Sequence, residues 1–84
     1  MPSDVKTQVT DLIRRQLSAP FATLDDGTRF VEDLGADSLA LVELTLAFED
    51  AFDIDISDED AERVRTVGEA LRTVERCLRA RRPE

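Results

Sequence analysis

Ser38 is the residue of this sequence whose type and position are most suggestive of chemistry. It follows Gly35 and Asp37, and it precedes residues 39–52, a run of strong helix formers without glycine or proline. Glycine tolerates the backbone angles of a sharp turn, and aspartate and serine commonly cap the first turn of a helix. The pattern predicts a helix over about residues 38–52, with the Ser38 hydroxyl at its N-terminal end.

Two interpretations of Ser38 are open from its position alone. A serine nucleophile needs an activating base, most often a histidine, and the chain contains no histidine. A serine–histidine pair is therefore excluded, and we expect no self-catalysed acyl transfer. The commoner role for a serine at this position is a helix cap, which would leave Ser38 without any chemical function.

The length and composition predict one small domain. The 84 residues are near the lower limit for folding without metals or disulfides, so we expect a single domain over residues 1–84. The single cysteine, Cys77, excludes an internal disulfide and a cysteine-based zinc site. No apolar run approaches the ~20 residues that span a bilayer, and residues 1–6 lack the apolar core of a signal peptide. We expect a soluble, cytoplasmic monomer.

The negative charge is concentrated in the middle of the chain. The net charge is −8, but residues 25–62 carry fourteen carboxylates against the single cation Arg29, a local net charge of −13. Residues 63–84 carry seven arginines against three glutamates, a local net charge of +4. The acidic middle repels nucleic acid and anionic membranes, so we expect neither as a partner. It favours partner proteins with basic surfaces.

The first part of the chain predicts a helix followed by a long loop. Apolar residues at helical spacing predict the helix over residues 3–17, with Ser3 as its N-cap. Pro20 ends the pattern, because the residue before a proline avoids helical angles. The connection over residues 18–36 contains a predicted turn at residues 25–27. We expect the loop to pack back on the bundle through its apolar residues, which are Phe21, Leu24, Phe30, Val31 and Leu34.

The last third of the chain predicts two more helices. Ser57 is expected to cap a short third helix, with three acidic residues in its first turn. The capping box at residues 66–69, a threonine followed three residues later by a glutamate, predicts a last helix to about Arg79, with residues 80–84 frayed. The fold class is all-α: a small four-helix bundle of three main helices and one short third helix, with a long loop between helices 1 and 2.

A calcium-binding loop is the one metal site that the sequence pattern suggests. Asp53, Asp55 and Ser57 fall at positions 1, 3 and 5 of an EF-hand loop. The pattern fails at position 6, where Asp58 replaces glycine, and at position 12, where Val64 replaces the bidentate glutamate. We therefore predict no metal site.

The second helix has two apolar stripes, and a small bundle needs only one. The inner stripe consists of Leu41, Leu44, Phe48 and Phe52. The outer stripe, offset by about 100°, consists of Leu39, Val42 and Leu46 and is bordered by Glu43, Glu49 and Asp50. An exposed apolar strip with a charged border is typical of a docking surface. The alternative is that neighbouring helices bury both stripes.

The string from Phe30 to Leu39, FVEDLGADSL, closely resembles the attachment region of acyl carrier proteins. The resemblance covers nearly the whole chain and is weakest in the first 25 residues and the last few. It continues through Val42-Glu43-Leu44, Phe48-Glu49, Phe52, Ile56, Asp58-Glu59 and Ala61-Glu62. In that family, the serine of Asp-Ser-Leu is esterified by 4′-phosphopantetheine. The resemblance thus implies a covalent cofactor on Ser38, flanked by Asp37 and Leu39.

The resemblance also implies a function. A phosphopantetheinyl transferase would move the group from coenzyme A onto Ser38 of a free-standing carrier that is not an enzyme. The thiol of the group would hold acyl intermediates as thioesters for acyl transferases, ketosynthases and related enzymes of fatty-acid or polyketide-type biosynthesis. Basic patches on these enzymes would dock against the outer stripe and its acidic border, which consist of Leu39, Val42, Glu43, Leu46, Glu49 and Asp50.

Departures from the family pattern leave the pathway open. Ala40 follows Asp-Ser-Leu where fatty-acid carriers often have an acidic residue, and Leu41 and Phe48 make the inner stripe bulky for a carrier that encloses a long chain. Both features leave room for a polyketide or other specialised pathway. The alternative function is an acidic helical interaction module without a prosthetic group.

Overall fold

The computed structural model describes residues 4–19 and 23–80, and within these it contains four α-helices and no strands. They are α1 (Val5–Gln16), α2 (Ser38–Phe52), α3 (Asp58–Glu62) and α4 (Val67–Ala80). The three longer helices pack against one another, and short α3 lies between α2 and α4 in the chain. The predicted all-α architecture of three main helices, one short third helix and a long first loop is confirmed.

The core is formed where the apolar faces of α1, α2 and α4 meet. Its largest fully buried side chains are those of Val9, Ile13, Phe30, Leu44, Phe48 and Val74. Phe30 comes from the long loop, so that loop contributes a central core residue. Burial of an aromatic side chain withdraws a large apolar area from water, and this stabilises the packed position of the loop.

Helix α1 is slightly shorter than the predicted 3–17. Asp4 occupies its N-cap position but its side chain makes no capping hydrogen bond, and the predicted cap Ser3 lies outside the described residues. The helix ends at Gln16, and Ser18 then has a positive φ of 53°. The amide of Ala19 donates to the carbonyl of Arg14 at 2.8 Å, which closes the helix end. Pro20 lies outside the described residues.

The long loop between α1 and α2 contains two hydrogen-bonded turns. A turn forms at Asp25, whose carbonyl accepts from the Thr28 amide at 3.0 Å, and a helical turn begins at Arg29, whose carbonyl accepts from the Asp33 amide at 3.0 Å. Phe30 is buried as expected, and Leu24 and Leu34 are half-buried. The expectation for Val31 is wrong: its side chain is 52% exposed, because the helical turn rotates it by about 100° from the buried Phe30. Phe21 lies outside the described residues.

Backbone hydrogen bonds tie this loop to the start of α4. The Phe30 amide donates to the Arg65 carbonyl at 3.0 Å, and the Val67 amide donates to the Thr28 carbonyl at 2.9 Å. Gly68 allows the closest approach, because a Cβ there would lie 3.0 Å from the carbonyl oxygen of Asp26. The loop is therefore fastened at several points along the edge of the bundle.

The capping box of α4 forms only in part. The Thr66 hydroxyl accepts from the Glu69 amide at 3.2 Å, as predicted. The Glu69 carboxylate, however, accepts from the amide of Arg65 at 3.1 Å, one residue before the amide that a capping box would use. The helix continues to Ala80, one residue beyond the predicted end, and the remainder of the predicted frayed segment lies outside the described residues.

Polar contacts hold α3 in place. The Ser57 hydroxyl accepts from the Asp60 amide at 3.1 Å, which confirms the predicted cap. An ion pair of 2.8 Å joins Asp60 to Arg76 of α4. In the approach to α3, Ile54 and Ile56 are buried. The short helix thus depends on one cap, one ion pair and its buried flanks.

Candidate phosphopantetheine site and docking face

A turn at Gly35 precedes the N-terminus of α2. Gly35 has a φ of +71°, a conformation that other residues adopt only with strain. Its amide donates to the carbonyl of Val31 at 3.1 Å, and the amide of Ala36 donates to the carbonyl of Phe30 at 2.9 Å. A Cβ at Gly35 would meet no atom within 4 Å, so the backbone angle, and not space, calls for glycine.

Asp37, and not Ser38, caps α2. The Asp37 carboxylate accepts from the amide of Ala40 at 2.8 Å, and its carbonyl accepts from the amide of Leu41 at 3.0 Å. Ser38 is the first residue of the helix itself, and it is exposed. The interpretation of Ser38 as a helix cap is therefore wrong. Because Asp37 takes that role, the Ser38 hydroxyl is not committed to holding the helix together.

The surroundings of Ser38 fit a phosphodiester. The amides of Ser38 and Leu39 lie in the first turn, where no preceding helical carbonyl can accept from them, and neither has an acceptor among the described residues. Two such amides and the positive end of the helix dipole favour an anion. The exposed hydroxyl leaves room for a covalent group to extend outwards. The sequence contains no histidine, so no serine–histidine pair activates the hydroxyl.

Ser38 also lies on the wall of an open cleft of about 820 Å³. The helical turn of the long loop contributes Arg29 and Val31 to this cleft, and the loop before α4 contributes Arg65. Leu41 of α2 forms part of the wall beside Ser38. A group attached to the hydroxyl can therefore follow a preformed cleft along the protein surface. No sequence pattern indicated this cleft, because it is formed by two regions, residues 29–41 and 61–69, that are distant in the chain.

The outer stripe of α2 is exposed. Leu39, Val42 and Leu46 are 65%, 55% and 56% exposed, and Glu43 and Asp50 are exposed beside them. The alternative, in which neighbouring helices bury both stripes, is wrong. The inner stripe is buried at Leu44, Phe48 and Phe52 and half-buried at Leu41.

Glu49 differs from the other carboxylates that border the outer stripe. It is half-buried, and its Oε2 atom accepts from the amide of Ile56 at 2.8 Å. The side chain thus reaches from α2 to the segment before α3 and fixes the distance between them. Sequence reasoning placed Glu49 with the border charges and missed this bond, because a hydrogen bond between a helix and the loop that follows it has no sequence signature.

Two side chains near these elements have shifted pKa values. The Arg29 amide donates to Asp33 at 2.8 Å and the guanidinium lies 3.5 Å away, and together these contacts lower the pKa of that carboxyl. Burial, with a smaller contribution from Asp60, raises the pKa of the Cys77 thiol. Cys77 is half-buried, and a protonated thiol is a poor nucleophile. The four-residue spacing of Arg29 and Asp33 could have revealed their pairing from the sequence.

In residues 4–19 and 23–80, no three side chains of histidine, cysteine, aspartate or glutamate are arranged so that they could hold a metal ion. Within the same residues, no helix is long and apolar enough to cross a membrane.

Ser38 is an exposed serine at the start of a capped helix in a small all-α bundle, which is the arrangement that the resemblance to carrier proteins implies. Comparison with known proteins agrees. The family model "Phosphopantetheine attachment site" matches residues 7–74, so the chain belongs to the phosphopantetheine-binding carrier family. The cofactor of that family is covalently attached 4′-phosphopantetheine.

A solved structure supports the same assignment. The fold is similar to that of a protein from Mycobacterium tuberculosis that is assigned as an acyl carrier protein, with a TM-score of 0.81 and 35% sequence identity. The match covers 86% of this chain and 96% of that one. The resemblance that the sequence suggested is confirmed at the level of family and fold.

Proposed function

We propose that Ser38 is the attachment residue of a free-standing acyl carrier protein in fatty-acid or polyketide-type biosynthesis. The observation that carries this proposal is the division of roles at the start of α2, where Asp37 caps the helix and leaves the Ser38 hydroxyl exposed. Attachment forms a bond between Ser38 Oγ and a phosphorus atom of coenzyme A. The pyrophosphate bond breaks, the adenosine bisphosphate portion leaves, and the hydroxyl proton passes to a base of the transferase.

When bound, the group supplies a thiol that holds acyl units as thioesters. The protein contributes a tether, which raises the effective concentration of the acyl unit at a partner's active site. In this proposal the chain acts as a monomer with one domain. The single hydrophobic core of the described residues supports the assignment of one domain. It works in the cytoplasm and does not catalyse a reaction itself.

The attachment is tested by intact mass after incubation with coenzyme A and a promiscuous phosphopantetheinyl transferase. We expect one added phosphopantetheine on the wild type and none on Ser38→Ala. Ser57→Ala is the matched control, because Ser57 also lies at a helix N-terminus but its hydroxyl is used as a cap. A mass shift that persists in Ser38→Ala, or that is lost in Ser57→Ala alone, overturns the assignment. A wild type that accepts no group at all supports the alternative, an acidic interaction module.

The outer face of α2 is proposed as the docking surface for the transferase and for acyl transferases and ketosynthases. Its apolar anchors are Leu39, Val42 and Leu46, and its acidic border is formed by Glu43, Asp50 and the partly engaged Glu49. Such a surface fits a partner with an apolar patch surrounded by lysine or arginine. Border charges act mainly on the association rate and its salt dependence, whereas buried apolar anchors act on dissociation.

Docking kinetics with the transferase separate these two contributions. We expect Glu43→Lys to slow association, most strongly at low salt, and Val42→Ala or Leu46→Ala to speed dissociation without changing the salt dependence. Asp11→Lys is the charge-matched control, because Asp11 is an exposed carboxylate on α1. Equal slowing by Glu43→Lys and Asp11→Lys would show that only the overall charge matters and that α2 is not the docking face.

A further inference from the structure

The cleft beside Ser38 contains one arginine without a carboxylate partner among the described residues. Arg29 and Arg65 are the two arginines on the wall of this cleft. Arg29 already lies beside a carboxylate, because its guanidinium is 3.5 Å from Asp33. The Arg65 guanidinium makes no ion pair within the described chain, and its Nε atom donates a long hydrogen bond of 3.4 Å to the carbonyl of Glu62. Arg65 is therefore the cation of this cleft that can still take an anionic partner.

Backbone hydrogen bonds hold Arg65 in place beside the loop that leads to Ser38. The Arg65 amide donates to the carboxylate of Glu69 at 3.1 Å, and the Arg65 carbonyl accepts from the amide of Phe30 at 3.0 Å. Phe30 is fully buried, so the second bond joins Arg65 to a residue of the core. The Phe30 carbonyl in turn accepts from the amide of Ala36 at 2.9 Å, two residues before Ser38. This short series of bonds fixes the backbone of Arg65 relative to the start of α2.

The other charged groups of the cleft oppose an anion. Three glutamates line the cleft against the two arginines, which gives a net charge of −1, and they are Glu32, Glu62 and Glu69. Because Arg29 is already paired with Asp33, an anionic group in the cleft meets net repulsion unless Arg65 contacts it directly. A guanidinium suits a phosphate, since its planar set of donors can bind two phosphate oxygens at once. A phosphodiester in this cleft therefore depends on Arg65.

We infer that Arg65 binds the phosphodiester that attachment at Ser38 creates. The guanidinium donates to the phosphate oxygens that carry the negative charge, and this contact keeps the first part of the attached group in the cleft. The group is thereby held away from the outer stripe of α2, which stays clear for docking. This inference rests on the proposed attachment at Ser38, and it names Arg65 as a residue that positions the attached group.

The expected effect is that of an exposed ion pair. Such a pair changes the ratio of bound to free phosphodiester by up to about fivefold, and salt weakens it. Arg65→Gln removes the charge but keeps the backbone amide that donates to Glu69, so the start of α4 is preserved. Arg63→Gln is the matched control, because Arg63 is an exposed arginine two residues away that does not line the cleft. Arg65→Lys keeps the charge without the planar donors, so we expect it to restore part of the contact.

The first experiment measures the phosphorus chemical shift of the attached group. Each protein is loaded to completion from coenzyme A by the promiscuous transferase, and intact mass checks the loading. In the wild type, the shift should move as NaCl is raised from about 10 mM, where the Debye length is about 30 Å, to about 1 M, where it is about 3 Å. Arg65→Gln should show the high-salt value throughout, whereas Arg63→Gln should follow the wild type. If the three proteins respond to salt alike, the inference is overturned and the attachment at Ser38 stands. A wild type that cannot be loaded overturns both.

The second experiment follows the arginine itself in the wild type. The Nε–H resonance of Arg65 should shift when Ser38 is loaded, because its bond to the Glu62 carbonyl is long and a charged phosphate oxygen is the stronger acceptor. The Nε–H resonance of Arg63 should not move. An unmoved Arg65 resonance, or an equal shift for Arg63, overturns the inference. If Arg65→Gln does not fold, this comparison decides, since it needs no variant.

Discussion

The two faces of α2 are built from similar apolar residues and have opposite environments. The inner face, represented by Leu44 and Phe48, is fully buried, whereas the outer face, represented by Leu39 and Val42, is more than half exposed. The difference comes from the neighbours, because α1 and α4 both pack against α2 from the inner side. Apolar composition alone therefore does not identify the core of a small bundle. The side on which the other long helices lie decides which stripe is buried and which is available to partners.

The largest expected effect is on stability. Leu44→Ala and Phe48→Ala should each lower the free energy of unfolding by roughly 2–5 kcal/mol, because each leaves a cavity in a filled core. Val42→Ala and Leu46→Ala should change it by less than about 0.5 kcal/mol, since exposed substitutions rarely do more. Chemical denaturation of the four variants provides the measurement. Destabilisation of the outer pair to the same extent as the inner pair would show that both faces are interior.

A second prediction concerns the acidic residues of α2. Glu49→Ala should cost about 1–3 kcal/mol, because it leaves the amide of Ile56 without its acceptor in a partly buried site. Glu43→Ala, at an exposed position on the same helix, should cost almost nothing. The comparison requires thermal or chemical melts of both variants. If the two variants unfold alike, Glu49 is a border charge only, and its bond to Ile56 does not contribute to stability.

The third prediction compares the first two residues at the start of α2. Asp37→Ala removes the acceptor of the Ala40 amide and should cost about 0.5–2 kcal/mol, the usual range for an N-cap. Ser38→Ala should be nearly neutral, because alanine is a good helix former and the serine is not the cap. Melts of both variants provide the measurement. A larger loss for Ser38→Ala than for Asp37→Ala would show that the serine has a structural role after all.

The sequence predicted the features that depend on residues close together in the chain. Helical spacing predicted the bounds of α2, and residue types predicted the cap at Ser57 and the positive φ of Gly35. Asp37 and Ser38 were both plausible caps from their types, and only the geometry separates them. Val31 was misplaced because the helical turn that begins at Arg29 directs Phe30 into the core and Val31 towards solvent.

Features that depend on distant segments could not be predicted. The cleft beside Ser38 is formed by α2, by α3 and by the loops before α2 and α4. The ion pair of Asp60 with Arg76 joins α3 to α4, and the hydrogen bond from the Ile56 amide to Glu49 joins the segment before α3 to α2. Neither contact follows from a periodicity or a capping rule. The exposure of the outer stripe likewise required the positions of α1 and α4, so the sequence could only state it as one of two alternatives.

The smallest expected effect is on acid stability, and it concerns the helical turn that leads into α2. Hydrogen bonds from Arg29 lower the pKa of Asp33 in the folded protein. A carboxyl group with a lowered folded-state pKa contributes stability above its unfolded pKa, near 4, and loses that contribution as the pH falls through the folded value. Asp33→Asn should therefore reduce stability slightly at neutral pH and flatten the decline in melting temperature below about pH 4. Glu32→Gln is the control, because this exposed neighbour makes no such bond among the described residues. An identical acid profile for Asp33→Asn and Glu32→Gln would show that the contact with Arg29 does not stabilise the turn.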